Sequence, residues 1–88
     1  MFTVTYTKPF VRHFKHLPTN TQNKVYDQID LLVIDFRDSR LHTKKLRVSS
    51  DVYSFRVGRE YRVLFVFETG STIKLVDIRH RKDIYKNL

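Results

Sequence analysis

Between Tyr53 and Ile78 the chain runs YSFRV-GRE-YRVLFVF-ETGS-TIKLVDI, three short apolar-alternating runs split by two turn-like breaks. A period of two over runs of this length is the signature of adjacent β-strands, and breaks this short join neighbours as hairpins. Few other architectures are compatible with such a stretch. Arginines interrupt the alternation at positions 56 and 62, and a third stands at position 79. A cation on a sheet face has to be solvated, paired or put to use.

Register follows from the apolar pattern, because a slip of one residue turns every side chain to the other face. Tyr53, Phe55 and Val57 share a face, as do Tyr61, Val63, Phe65 and Phe67. Bringing both sets to one core pairs Val57 with Tyr61, leaves Gly58-Arg59-Glu60 as the loop, and sets Arg56 directly opposite Arg62 on the other face. A two-residue turn at Thr69-Gly70 then pairs Phe67 with Thr72, Val63 with Val76 and Tyr61 with Ile78. Asp77 falls beside Arg62 as an orienting carboxylate, and Arg79 joins the arginine face. In this register Leu64, Val66, Ile73 and Leu75 form an apolar patch on the face away from the helices, a candidate docking surface.

Upstream, Phe2, Val4 and Tyr6 alternate with threonines as a strand with one buried face. Thr7 can cap a helix with Pro9 in its first turn and Phe10, Val11, Phe14 and Leu17 at helical spacing. After Leu17-Pro18, Thr19 and Gln22 have the spacing of a capping box, and Val25, Ile29, Leu32, Val33 and Phe36 mark one face of a longer helix. Arg37 to Lys45 reads as an exposed basic loop, and Leu46 and Val48 resume the sheet. The order β-α-α-β-β-β predicts an α+β fold, an antiparallel sheet whose N-terminal strand leads into a helical hairpin packed on one face, with residues 1–88 as a single domain.

Composition narrows the chemistry. Seventeen Lys and Arg against nine Asp and Glu give a net charge of +8, which favours a polyanionic partner. The chain has no cysteine, and its four histidines do not show metal-ligand spacing, so neither a metal nor another cofactor is expected. His13, His16 and His42 read as surface residues, able with Lys44, Lys45 and Arg47 to meet RNA phosphates. Neither a leader nor an apolar run of membrane-spanning length is visible, so a cytoplasmic protein without membrane contact is expected.

Three arginines on one face, flanked by His80, Arg81, Lys82 and Tyr85, make a site rich in donors and without its own nucleophile. RNA can supply one, since a 2′-hydroxyl can attack the adjacent phosphorus. Guanidiniums would stabilise the charge on phosphorus, His80 could move a proton, and Tyr85 could stack on a base. The same patch could equally bind RNA without cutting it.

The runs YSFRVGREYRVLFVF and IRHRKDIY resemble the C-terminal half of the RelE/ParE superfamily of bacterial toxins, and within it the RelE-like mRNA interferases. The resemblance covers nearly the whole chain. It implies the toxin of a type II toxin–antitoxin system, a ribosome-dependent endoribonuclease that works without a cofactor. Its implied partners are a cognate antitoxin and ribosome-bound mRNA, the toxin being a monomer when free and a hetero-oligomer with its antitoxin. Arg56 corresponds to the family's basic residue before the hairpin and Arg62 to its phosphate-stabilising arginine. The C-terminal acid lies among Arg79, His80 and Arg81, and Tyr85 matches the stacking aromatic. The patch of Leu64, Val66, Ile73 and Leu75 would take the antitoxin. Ser54 stands where many members carry another basic residue, which leaves the general base unassigned. ParE-like members share the fold but inhibit DNA gyrase, and a non-catalytic RNA-binding module is a third possibility.

Overall fold

A computed structural model describes residues 1–46 and 51–84. The elements are β1 (Thr3–Tyr6), α1 (Lys8–Lys15), α2 (Thr19–Ile34), a 3-10 turn (Ser39–Leu41), β2 (Lys44–Lys45), β3 (Tyr53–Val57), β4 (Tyr61–Phe67) and β5 (Thr72–His80). The strands form one sheet in the order β1-β5-β4-β3-β2. All neighbours are antiparallel except β1, which runs parallel to β5, so the sheet is mixed where a purely antiparallel one was expected.

Local chemistry sets the helix ends. Thr7 caps α1, its Oγ1 accepting the Phe10 N–H at 3.2 Å, with Pro9 in the first turn where a missing N–H costs nothing. The capping box expected at Thr19 does not form. Pro18 occupies the N-cap of α2, and the Gln22 side chain instead donates to the Phe14 carbonyl at 3.0 Å, tying the end of α1 to the start of α2. Both helices cover the face that carries Phe55, Val57, Val63, Phe65, Ile73, Leu75 and Ile78, and Phe10, Val25 and Leu32 reach into this core from above.

The expected basic loop is more ordered than its sequence implies. Asp38 accepts the Arg40 N–H and starts the 3-10 turn, Leu41 at 0% exposure anchors it in the core, and Lys44–Lys45 pair with Ser54 and Tyr53 as β2. Arg47 and Val48 lie outside the described residues.

The β3–β4 hairpin has the register inferred above, Val57 opposite Tyr61 and Arg56 opposite Arg62. Gly58 opens the loop at a φ of 59°, a left-handed position that explains why glycine comes first in it.

The β4–β5 pairing differs. Phe67 pairs with Ile73 rather than Thr72, and a β-bulge between Phe65 and Leu64 admits Val76 as an extra residue. The first shift of one residue turns Ile73 and Leu75 into the main core, both at 0% exposure, so they cannot belong to the expected docking patch. The bulge adds a second shift and restores the outward face for Asp77 and Arg79. On that face Leu64, also buried, forms a small second core with Leu46 and Ile84, flanked by Val52 and Val76. Of the expected patch only Val66 keeps intermediate exposure.

Candidate nucleic-acid interface

Arg56, Arg62 and Arg79 occupy one rung across β3, β4 and β5: Arg56 pairs with Arg62, and Arg62 with Arg79. Paired residues of antiparallel strands project to the same side, so the three guanidiniums share the face away from the helices. Like charges in register destabilise a sheet unless something compensates them. Each of the three is held in a different way.

Arg62, central in the rung, is only 7% exposed. Its Nε donates to Ser54 Oγ at 3.0 Å, and its Nη2 donates to the His42 carbonyl at 2.7 Å. Ser54 sits two residues before Arg56 on the same face, so the serine that breaks the family pattern is an acceptor for the neighbouring strand's arginine. His42 holds a left-handed backbone at φ 47°, uncommon outside glycine, just after the 3-10 turn. Its Nε2 lies 2.9 Å from Arg56 Nη2, so one residue meets two arginines, by carbonyl and by ring. Arg56 itself is exposed, and its carbonyl, beyond the end of the short β2, accepts from Gln28 of α2 at 2.8 Å.

Arg79 is anchored by Asp77, but Asp77 pairs across the ladder with Leu64, not with Arg62 as expected. The Arg79 Nε donates to Asp77 Oδ2 at 2.7 Å, the Ile78 N–H donates to Oδ1 at 2.8 Å, and His13 Nδ1 of α1 lies 2.6 Å from Oδ1. The carboxylate thus orients Arg79 and ties the sheet to the first helix.

His80 pairs with Tyr61 on the helix-facing side, opposite the arginine rung, and its ring meets Tyr61 edge-on at 5.7 Å. It reaches the site around the end of the sheet: His13, Leu17, Tyr61, Ile78, Arg79, His80 and Asp83 line a hollow of about 420 Å³. The His80 Nδ1 accepts the Lys82 N–H at 3.2 Å, which places the ring proton of the neutral imidazole on Nε2. Arg81 is exposed, with its own N–H fixed to the Glu60 carbonyl at 2.6 Å. Tyr85 lies outside the described residues. Lys44 and Lys45 are both exposed: Lys44 pairs with Ser54 on the rung's face, and Lys45 stands 5.8 Å from the centre of the Tyr53 ring.

The structure therefore joins Arg56, Arg62 and Arg79 as expected, moves Asp77 to Arg79, and adds Ser54, His42 and His13. A side-chain hydrogen bond from Arg40, with help from the Arg40 backbone N–H, holds the Asp38 carboxyl well below its ordinary value, at about 2. That pair fixes the turn leading to His42. Among the described residues no group of three or more His, Cys, Asp or Glu could hold a metal ion, and no helix is long and apolar enough to cross a membrane.

Fold and rung together define a small α+β domain with a cationic face. The chain belongs to the family of phage-derived Gp49-like proteins (DUF891), whose model matches residues 12–83, and with it to the RelE-type toxin superfamily. It is similar to a chain of the RelB–RelE antitoxin–toxin complex from Methanococcus jannaschii, with 28% identity, 96% of this chain and 98% of that one covered, and a TM-score of 0.76. The archaeal RelE–RelB complex from Pyrococcus horikoshii OT3 matches at 23% identity, with coverages of 93% and 97% and a TM-score of 0.74. YafQ from E. coli strain BL21(DE3) matches at 12% identity, with coverages of 97% and 99% and a TM-score of 0.77. The last two likenesses concern the fold alone. No curated protein matches the sequence significantly.

Proposed function

We propose that this protein is the toxin of a type II toxin–antitoxin pair and cleaves ribosome-bound mRNA in the cytoplasm. One observation carries the nuclease reading: three guanidiniums stand in register on neighbouring strands, the outer two at least partly exposed. Such a rung matches the charge that accumulates when a 2′-oxygen attacks phosphorus. The O2′–P bond forms as the P–O5′ bond breaks, giving a 2′,3′-cyclic phosphate and a 5′-hydroxyl. Arg56 and Arg79 would clamp the phosphate oxygens from either side of Arg62. His80, at the same end of the sheet as Arg79, is the group suited to move a proton. Arg81, Lys44, Lys45 and Arg47 would bind neighbouring phosphates, and Tyr85 would stack on a base.

The solved RelB–RelE and RelE–RelB complexes support a cognate antitoxin as partner. On this reading the toxin is a monomer when free and a hetero-oligomer with its antitoxin. With Leu64, Ile73 and Leu75 buried, the antitoxin would dock elsewhere than on the patch read from the sequence.

The burial of Arg62 favours a second reading, in which it is a structural strut and the face binds RNA without cutting. A ParE-like gyrase inhibitor is the third. Induced expression separates them. The nuclease reading expects growth arrest with new mRNA ends inside codons and normal supercoiling in extracts. Arrest with intact message and failed supercoiling would establish the gyrase reading, and RNA binding without new ends would establish the second.

A further inference from the structure

The strand β5 outruns its parallel neighbour. β1 pairs only with Thr72 to Leu75, and α1 packs along the remainder of β5. Thr7, the cap of α1, fixes this docking: its N–H donates to the Leu75 carbonyl at 3.0 Å and its hydroxyl to the Val76 carbonyl at the bulge. Six residues further along α1, His13 reaches around the sheet edge to Asp77.

The Asp77 carboxylate is shared. Its Oδ1 receives the Ile78 N–H at 2.8 Å and faces His13 Nδ1 at 2.6 Å, while Oδ2 receives the Arg79 Nε–H at 2.7 Å. The Asp77 side chain is 11% exposed against 35% for His13 and 40% for Arg79, so the anchor is sheltered and its arginine is accessible. Held by Nε, Arg79 has its two Nη groups without a protein acceptor among the described residues, at the rim of the hollow that His13 and His80 also line. A guanidinium fixed at one donor and open at the others is oriented toward an anion.

We infer that His13 is a positioning residue: through Asp77 it fixes the Arg79 guanidinium in the hollow between α1 and β5. The inference rests on the proposed nuclease reading for its effect on rate, but not for the contact itself. Without the His13 donor, Oδ1 keeps only the Ile78 N–H among the described residues, and the carboxylate can turn about its last torsion, carrying Arg79 with it. A displacement near 1 Å at such a group costs about 100-fold in rate.

Two substitutions in the full-length chain test this. His13→Asn places an amide N–H close to where Nδ1 stands, and His13→Ala removes the donor. With both variants shown folded by circular dichroism, His13→Ala should lower kcat on ribosome-bound message by about 10- to 100-fold with KM little changed, and His13→Asn should stay within about threefold of the wild type. Exchange of the Arg79 Nε proton, read by ¹⁵N NMR on the free protein, should be slow in the wild type and His13→Asn and fast in His13→Ala. Equal exchange in all three proteins would overturn the inference. So would a His13→Asn variant as inactive as His13→Ala, which would make His13 a participant in proton transfer. If the wild type cuts no message but the exchange pattern holds, the nuclease reading falls and the positioning role of His13 stands.

Discussion

Ser54 Oγ accepts the Nε–H of Arg62 across the β3–β4 pair at 3.0 Å, with Ser54 fully buried and Arg62 nearly so. A buried guanidinium is tolerated only where its donors find acceptors, and this hydroxyl is one of them. Ser54→Ala is expected to cost about 1–3 kcal/mol, because a buried charged donor loses its acceptor. Urea denaturation measures it, and an unchanged midpoint would show that Ser54 does not hold Arg62. Ser54→Lys, which restores the cation common in the family, should destabilise more, since it sets a second buried charge beside the first.

Leu64 and Ile84 meet on the face opposite the helices, where the chain after β5 folds back over the sheet. Either residue changed to alanine should lower stability by about 2–5 kcal/mol, the range for buried aliphatic truncations. This second core is small, so little repacking is available. A loss under about 0.5 kcal/mol in thermal or urea unfolding, the range of ordinary surface substitutions, would mean that the two side chains are exposed in solution.

Asp38 offers a check on the turn before His42. Its folded value of about 2 lies below the ordinary 3.8, so its contribution to stability is fully present above pH 4 and is lost as pH falls toward 2. A carboxyl-carbon NMR titration should give a midpoint near 2 in the wild type and a higher one in Arg40→Ala, still below 3.8 because the backbone N–H of residue 40 remains as a donor. Coincident midpoints would show that the Arg40 pair is absent in solution.

The β3–β4 register was legible because seven apolar residues share one face, and only one pairing buries them together. The β4–β5 register was not. A two-residue turn at Thr69-Gly70 obeys the same alternation locally, and no residue type in LVD announces the bulge at Val76. Two shifts in one hairpin explain the mixed result: near the turn Ile73 and Leu75 changed faces, while past the bulge Arg79 kept its face and moved level with Arg62. The parallel pairing of β1 is a long-range choice that period-two alternation leaves open. His42 is exposed and His13 partly so, as their sequence suggests, yet nothing near either in sequence marks a partner. Their partners, Asp77 and the arginines of the rung, come from strands that only the fold brings near.

The rung of Arg56, Arg62 and Arg79 is the centre of the account, and its two outer members can be changed without opening the core. The decisive measurement maps RNA ends after purified protein is added to ribosomes carrying a defined message. The wild type should produce cuts within codons that end in 2′,3′-cyclic phosphate, and Arg56→Ala combined with Arg79→Ala should reduce the rate by at least about 100-fold while remaining folded. Intact message with the wild type, or equal cleavage by the double variant, would contradict it.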